Sequence, residues 1–171
     1  MNCLLDTHTF LWAAFSPDKL SAKVREAIRS AENQVCISSV SFWEVSLKYT
    51  LGKIELTNCL PADMPDIATQ MRIEIIQLGA TETASFFQLP NGHRGDTPTN
   101  NDSRRARFPH PNPPPKGEGT NDLLRKFQVN VAHKDPFVRM IIWQAIQQQW
   151  ILVSKDANFP EYRQFGLKVY W

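Results

Sequence analysis

Short apolar runs recur along this chain, too brief for ordinary helices and closed by polar residues: Cys3-Leu4-Leu5 before Asp6, Val35-Cys36-Ile37 before Ser38, and Ile151-Leu152-Val153 before Ser154. Runs of this kind read as strands buried on both faces of a parallel sheet. In an open parallel sheet the carboxyl ends of the strands meet on one crevice. Asp6, Glu44 on the segment after the second run, and Asp156 just past the third therefore qualify for a single metal site.

The segments between the runs carry helical spacing. Ser21 precedes Val24, Ala27, Ile28 and Ala31, an apolar stripe with an N-cap. A second helix starts at Ser38 or Ser39, carries Val40, Trp43 and Leu47, and stops near Gly52. Pro65 suits the first turn of a helix reaching Met71, Ile73–Ile76 reads as a strand, and Thr81 with Glu82 opens a helix ending near Leu89-Pro90. Asp135-Pro136 is a helix start with Asp135 as N-cap, followed by Met140, Ile141, Ala145 and Ile146 on one face. With Ile151–Ser154 and Leu167–Tyr170 as the last strands, the economical architecture is a three-layer α/β/α domain around a mainly parallel five-stranded sheet.

Residues 91–130 break this order. They hold six of the twelve prolines and four of the seven glycines, so they read as an insertion into one domain spanning 1–171. The segment also has seven Lys/Arg against four Asp/Glu, a local +3 within a chain whose total is +2, leaving −1 for the body. No basic face in bulk remains outside it. Arg104-Arg105-Ala106-Arg107 would suit an RNA-contacting arm; the plainer reading is translated repeat sequence without a selected role. No apolar stretch approaches the roughly 20 residues of a membrane span, which leads to a cytoplasmic location as the default. The odd set Cys3, Cys36 and Cys59 contains no CxxC pair and no zinc pattern, and reads as packing residues.

Each acid taken singly has an ordinary use. Asp6 and Asp156 suit caps or turns, Glu44 a solvent-facing helix position, and Asp135 a helix cap. Together, oxygen ligands without His or Cys suit Mg²⁺ or Mn²⁺, and carboxylates held close need a cation to offset their repulsion. Thr7 and Ser154 have hydroxyls that would orient those carboxylates or an attacking water. Lys134 and Arg139 would meet phosphate, or be solvated basic side chains. Trp12, Trp43 and Trp143 fall at helical positions that suit core packing or a dimer face, and Trp171 would anchor the last strand.

At this point a resemblance becomes specific. Leu4-Leu5-Asp6-Thr7-His8 with Leu11-Trp12, Ser38–Lys48 around Glu44, His133-Lys134-Asp135-Pro136-Phe137 through Ala145, Leu152-Val153-Ser154-Lys155-Asp156 and the terminal Lys168-Val169-Tyr170-Trp171 resemble, in order and spacing, a PIN-domain protein of the VapC toxin type. The resemblance covers everything except 91–130. It implies a parallel sheet, an acidic pocket holding one or two divalent ions, cleavage of RNA by metal-activated water, a small antitoxin partner and a homodimer. Asp6 and Glu44 match two main metal ligands and Asp156 the weaker fourth acid.

The third main acid departs from the pattern. Relatives usually read Asp-Pro-Phe-Asp-Arg where this chain has Asp135-Pro136-Phe137-Val138-Arg139, and Val138 offers a metal no lone pair. Asp135, three residues earlier on nearly the same helical face, is the nearest substitute. Two readings follow: a metal-dependent endoribonuclease toxin whose site is impaired or uses Asp135, and a PIN-fold module that binds antitoxin or RNA without cutting. A deoxyribonuclease shares the same phosphate chemistry.

Overall fold

The computed structural model describes residues 1–89 and 135–171; the segment 91–130, His133 and Lys134 lie outside the described residues. Five strands, β1 (Asn2–Leu5), β2 (Gln34–Ser38), β3 (Glu74–Ile76), β4 (Ile151–Val153) and β5 (Lys168–Tyr170), form one sheet in the order β3-β2-β1-β4-β5. Every neighbouring pair is parallel. The central β1 has Leu4 level with Cys36 on one side and Leu152 on the other. The order of connection reverses between β1 and β4, which makes the carboxyl edge of those two strands the topological switch point.

Helices α1 (Thr7–Phe15), α2 (Ala22–Arg29), α3 (Ser39–Thr50), α4 (Met64–Gln70), α5 (Ala80–Ser85) and α6 (Pro136–Gln147) complete the described elements, with short 3₁₀ turns between them. Strand side chains alternate between faces, and β1 follows the rule. Cys3 and Leu5 join a core with Phe10 of α1, Val24 of α2 and Met64 and Ala68 of α4. Leu4 joins the opposite core with Ile141, Ile142 and Ala145 of α6, together with Leu89, Phe159 and Tyr162. The result is an α/β/α stack in which each fully buried aliphatic side chain contributes about 2 kcal/mol.

Local chemistry explains the boundaries. Ser21 Oγ accepts from Val24 N at 3.3 Å, and Ser38 Oγ accepts from Val40 N at 3.1 Å, so both serines act as the expected caps. Gly52 closes α3 with φ +65°, a conformation that a side chain would strain. The first helix starts at Thr7 because Asp6 is its N-cap and accepts from Thr9 N at 2.6 Å. β3 and β5 each begin one residue inside the expected span and β4 ends one residue short of it: Ser154 has left β4, yet its N–H still donates to Tyr170 O at 3.2 Å.

The aromatic positions divide. Trp143 is buried, its indole N–H donating to Glu82 O and Ser85 Oγ, both at 3.1 Å. Trp12 packs edge-on against Trp171 at 5.9 Å, which anchors the chain's last residue to α1. Trp43 is 64% exposed and touches Phe137 edge-to-face at 4.7 Å. Cys3 and Cys36 are buried thiols in the sheet, and burial pushes the Cys36 thiol up to about 12, so it stays protonated and inert at neutral pH.

Candidate active site

In a parallel α/β stack each connecting helix runs back against its strands, so the first turns of α1, α3 and α6 all start near the carboxyl edge of the sheet. A cavity of about 380 Å³ opens there. Asp6, directly after β1, lines it with Thr7 and Glu44, and Ser154, Lys155 and Asp156, directly after β4, line it as well. Val138 and Ile141 from α6, Trp12 and His8 from α1, and Phe159 supply the rest of its wall.

The β1 and β4 ends are locked together. Asp6 N–H donates to Val153 O at 3.2 Å, Ser154 Oγ–H donates to Asp6 Oδ2, and Asp156 N–H donates to Ser154 Oγ at 3.2 Å. Ser154 thus ties the Asp6 carboxylate to the backbone at Asp156. Burial holds the Asp6 carboxyl above the usual carboxylate range, although the Ser154 hydroxyl and the Thr9 amide pull it back toward ionisation.

Glu44 is not the solvent-facing residue that its helical position allows: it is 1% exposed. Thr7 Oγ1–H donates to Glu44 Oε2 at 2.6 Å, across from α1 to α3, and Lys48 pairs through its ammonium with Glu44 Oε1. Asp156 is exposed and accepts from Asn158 N at 2.9 Å, an Asx turn.

The acids do not close up into a full cage. Among the described residues no group of three or more His, Cys, Asp or Glu side chains stands close enough to hold a metal ion. Asp6 and Glu44 form an all-oxygen donor set, and each of their oxygens already accepts one hydrogen bond or ion pair, leaving further lone pairs. That set fits a Mg²⁺-like ion held by one or two carboxylates with water in its other positions. Val138 lines the same cavity and offers it only carbon.

Two residues expected near phosphate or metal sit elsewhere. Asp135 is the N-cap of α6, with Oδ1 accepting from Phe137 N at 2.9 Å, and it does not line the cavity. Arg139 is 7% exposed; its guanidinium donates to Leu89 O at 3.0 Å and lies 5.4 Å from the Phe86 ring centroid. It clasps the first turn of α6 to the last described residue before position 90. Arg139→Met is expected to lower stability by about 2 kcal/mol through the orphaned carbonyl and lost charge-assisted bond, measurable as a drop in Tm. An unchanged Tm would refute the clasp.

Lys48 belongs to none of the acidic or hydroxyl positions that mark the pocket in the sequence. Its signal was the i, i+4 spacing from Glu44, the separation at which helical side chains meet. The apolar part of the wall, from Trp12, Ile141 and Phe159, had no local signal beyond hydrophobicity.

The PIN domain family model matches residues 3–98, which takes in Asp6 and Glu44 and stops short of Val138 and Asp156. Among solved structures, the chain is similar to VapBC2 from Rickettsia felis bound to a DNA fragment from their promoter, with TM-score 0.56, 19% identity, and 100% of this chain and 99% of that one covered. DNA-bound VapBC from Salmonella typhimurium gives 0.51 and 15%, covering 99% and 97%. VapBC-1 from nontypeable Haemophilus influenzae gives 0.54 and 11%, with the same coverage. At these identities the likeness is one of fold. No curated protein matches the sequence significantly. With the parallel β3-β2-β1-β4-β5 sheet, the acids at its switch point and a family match over more than half its length, the chain belongs to the PIN-domain family.

Proposed function

We propose that this chain is a metal-dependent endoribonuclease of the VapC toxin type, with Asp6 and Glu44 as the main ligands of a Mg²⁺ or Mn²⁺ ion and Asp156 as a further acid. The observation that carries this reading is the convergence of Asp6, Glu44 and Asp156 on one cavity at the switch point, from three separate stretches of chain. A divalent ion bound there supplies an activated water and offsets negative charge developing on the scissile phosphate. The protein's own part is orientation. Thr7 and Ser154 each donate a hydroxyl proton to a carboxylate oxygen, fixing the Glu44 and Asp6 rotamers, and the α6 cap at Asp135 sets the wall that carries Val138. Lys155, exposed beside the cavity, would meet substrate phosphate.

A second reading has its own support. Val138 on the cavity wall favours a PIN-fold module that binds antitoxin or RNA and cuts poorly or not at all. Incubating the purified chain with structured RNAs and Mg²⁺ or Mn²⁺ separates the two. Cleavage by the parent protein that Asp6→Asn loses supports the enzyme, and absence of cleavage at any metal concentration supports the binding module.

We also propose a small antitoxin partner and a homodimer. Trp43 and Leu47 on α3 and Leu51 at its C-cap recur every fourth residue and are exposed, an apolar ridge of the kind that marks protein contacts. A chain that sediments as a monomer at all concentrations would remove the homodimer. No helix among the described residues is long and apolar enough to cross a membrane.

A further inference from the structure

Lys48 lies on α3 one turn beyond Glu44, and its ammonium binds Glu44 Oε1. A carboxylate that is 1% exposed needs a charge partner within the protein. Thr7 gives Oε2 a neutral hydrogen bond at 2.6 Å, so among the described residues the neutralising charge comes from Lys48. Lys48 does not line the cavity. It reaches Glu44 along the helix, and what opposes an ion arriving from the cavity side is its charge rather than its bulk.

We infer that Lys48 is the counter-cation of the metal-free pocket, and that a divalent ion binds in competition with it. This rests on reading Asp6 and Glu44 as divalent-cation ligands. Two cations on one carboxylate repel, so either the ammonium withdraws or the ion is held more weakly. Withdrawal is open to it: the lysine stem is flexible and its side chain is 26% exposed. Val138 tilts the balance further toward the lysine, because the cavity wall there supplies carbon where another carboxylate would favour the ion. The fold therefore keeps an acidic pocket assembled without metal, and the same ion pair limits how tightly metal is held.

Mn²⁺ titration of the full chain, followed by the electron paramagnetic resonance signal of the free ion, tests this directly. Lys48→Met is expected to bind Mn²⁺ about tenfold more tightly than the parent protein, a change within the range that groups behind metal ligands exert. Lys48→Arg, which keeps the charge, is expected to bind no more tightly than the parent. Should the Met variant fail to fold, Lys48→Gln retains a donor for Glu44 without the charge and carries the same expectation. Neutral variants that bind Mn²⁺ equally or more weakly overturn the counter-cation role. Asp6→Asn is the control: if the parent exceeds it while the neutral variants show no gain, the counter-cation role alone falls. If parent and neutral variants bind no better than Asp6→Asn, the metal reading of the pocket falls with it.

Discussion

Asp6→Asn is expected to abolish divalent-ion binding and to lower RNA cleavage at least about 100-fold, while the metal-free protein becomes more stable. The two effects have one cause. Asp6 holds a carboxylate at a partly buried position, where burial disfavours its charge and raises its proton affinity. Asparagine has nearly the same shape, so its carbonyl oxygen can still accept from Thr9 N and cap α1, and its amide can donate toward Ser154 Oγ. It lacks the charge that a metal requires. Removing a desolvated charge while keeping the cap should stabilise the metal-free fold by about 1 kcal/mol. Thermal unfolding in the presence of a chelator reads the stability, and Mn²⁺ titration with gel-resolved RNA cleavage reads the function. An Asn variant that cleaves RNA as the parent does would remove Asp6 from the site.

Val138→Asp should move the protein in the opposite direction. Position 138 is in the first turn of α6, where the helix dipole favours an acid by about 0.3–1 kcal/mol, and its side chain lines the cavity with Asp6 and Glu44. A third inward carboxylate would tighten metal binding and position the attacking water. The expected gain in cleavage is about 100-fold, the scale on which small displacements of reacting groups act. Without metal the same change brings like charges together and removes an apolar contact, so Tm falls. Metal then restores it, by about 2.7 kcal/mol at a hundredfold excess over the dissociation constant. A Val138→Asp protein with unaltered metal affinity and unaltered cleavage would mean that the valine is not what limits the site.

Together these variants separate the two functional readings. If Asp6→Asn loses a cleavage that the parent possesses, Val138 merely tunes an enzyme. If cleavage appears only with Val138→Asp, the natural chain keeps the pocket of a nuclease and uses the fold to bind.

Much of the fold was legible in the chain because its signals are local. Apolar runs of a few residues set the strands, Ser21, Ser38, Asp6 and Asp135 cap helices through bonds to residues two or three positions on, and Gly52 closes α3. The burial of Glu44 was not legible, since a helix position next to Trp43 can face either way. Only packing decided that Glu44 turns in and Trp43 turns out. Arg139 is the plainest case. A basic residue one turn into a helix beside an acidic pocket looks like a substrate contact, yet its guanidinium turns to Leu89, fifty positions away in the chain. Asp135 commits an oxygen to its own helix and leaves the cavity wall to Val138.

A parallel α/β domain with acids just past its strands is written into the local sequence, because strand, cap and turn preferences act over a few residues. Tertiary packing settled which of those acids share a cavity, that Thr7 reaches across from α1 to Glu44, and that Ser154 binds Asp6. Those pairings depend on which strands lie side by side, and only the folded sheet, with β4 set against β1, brings residues 6 and 154 within a hydrogen bond of each other.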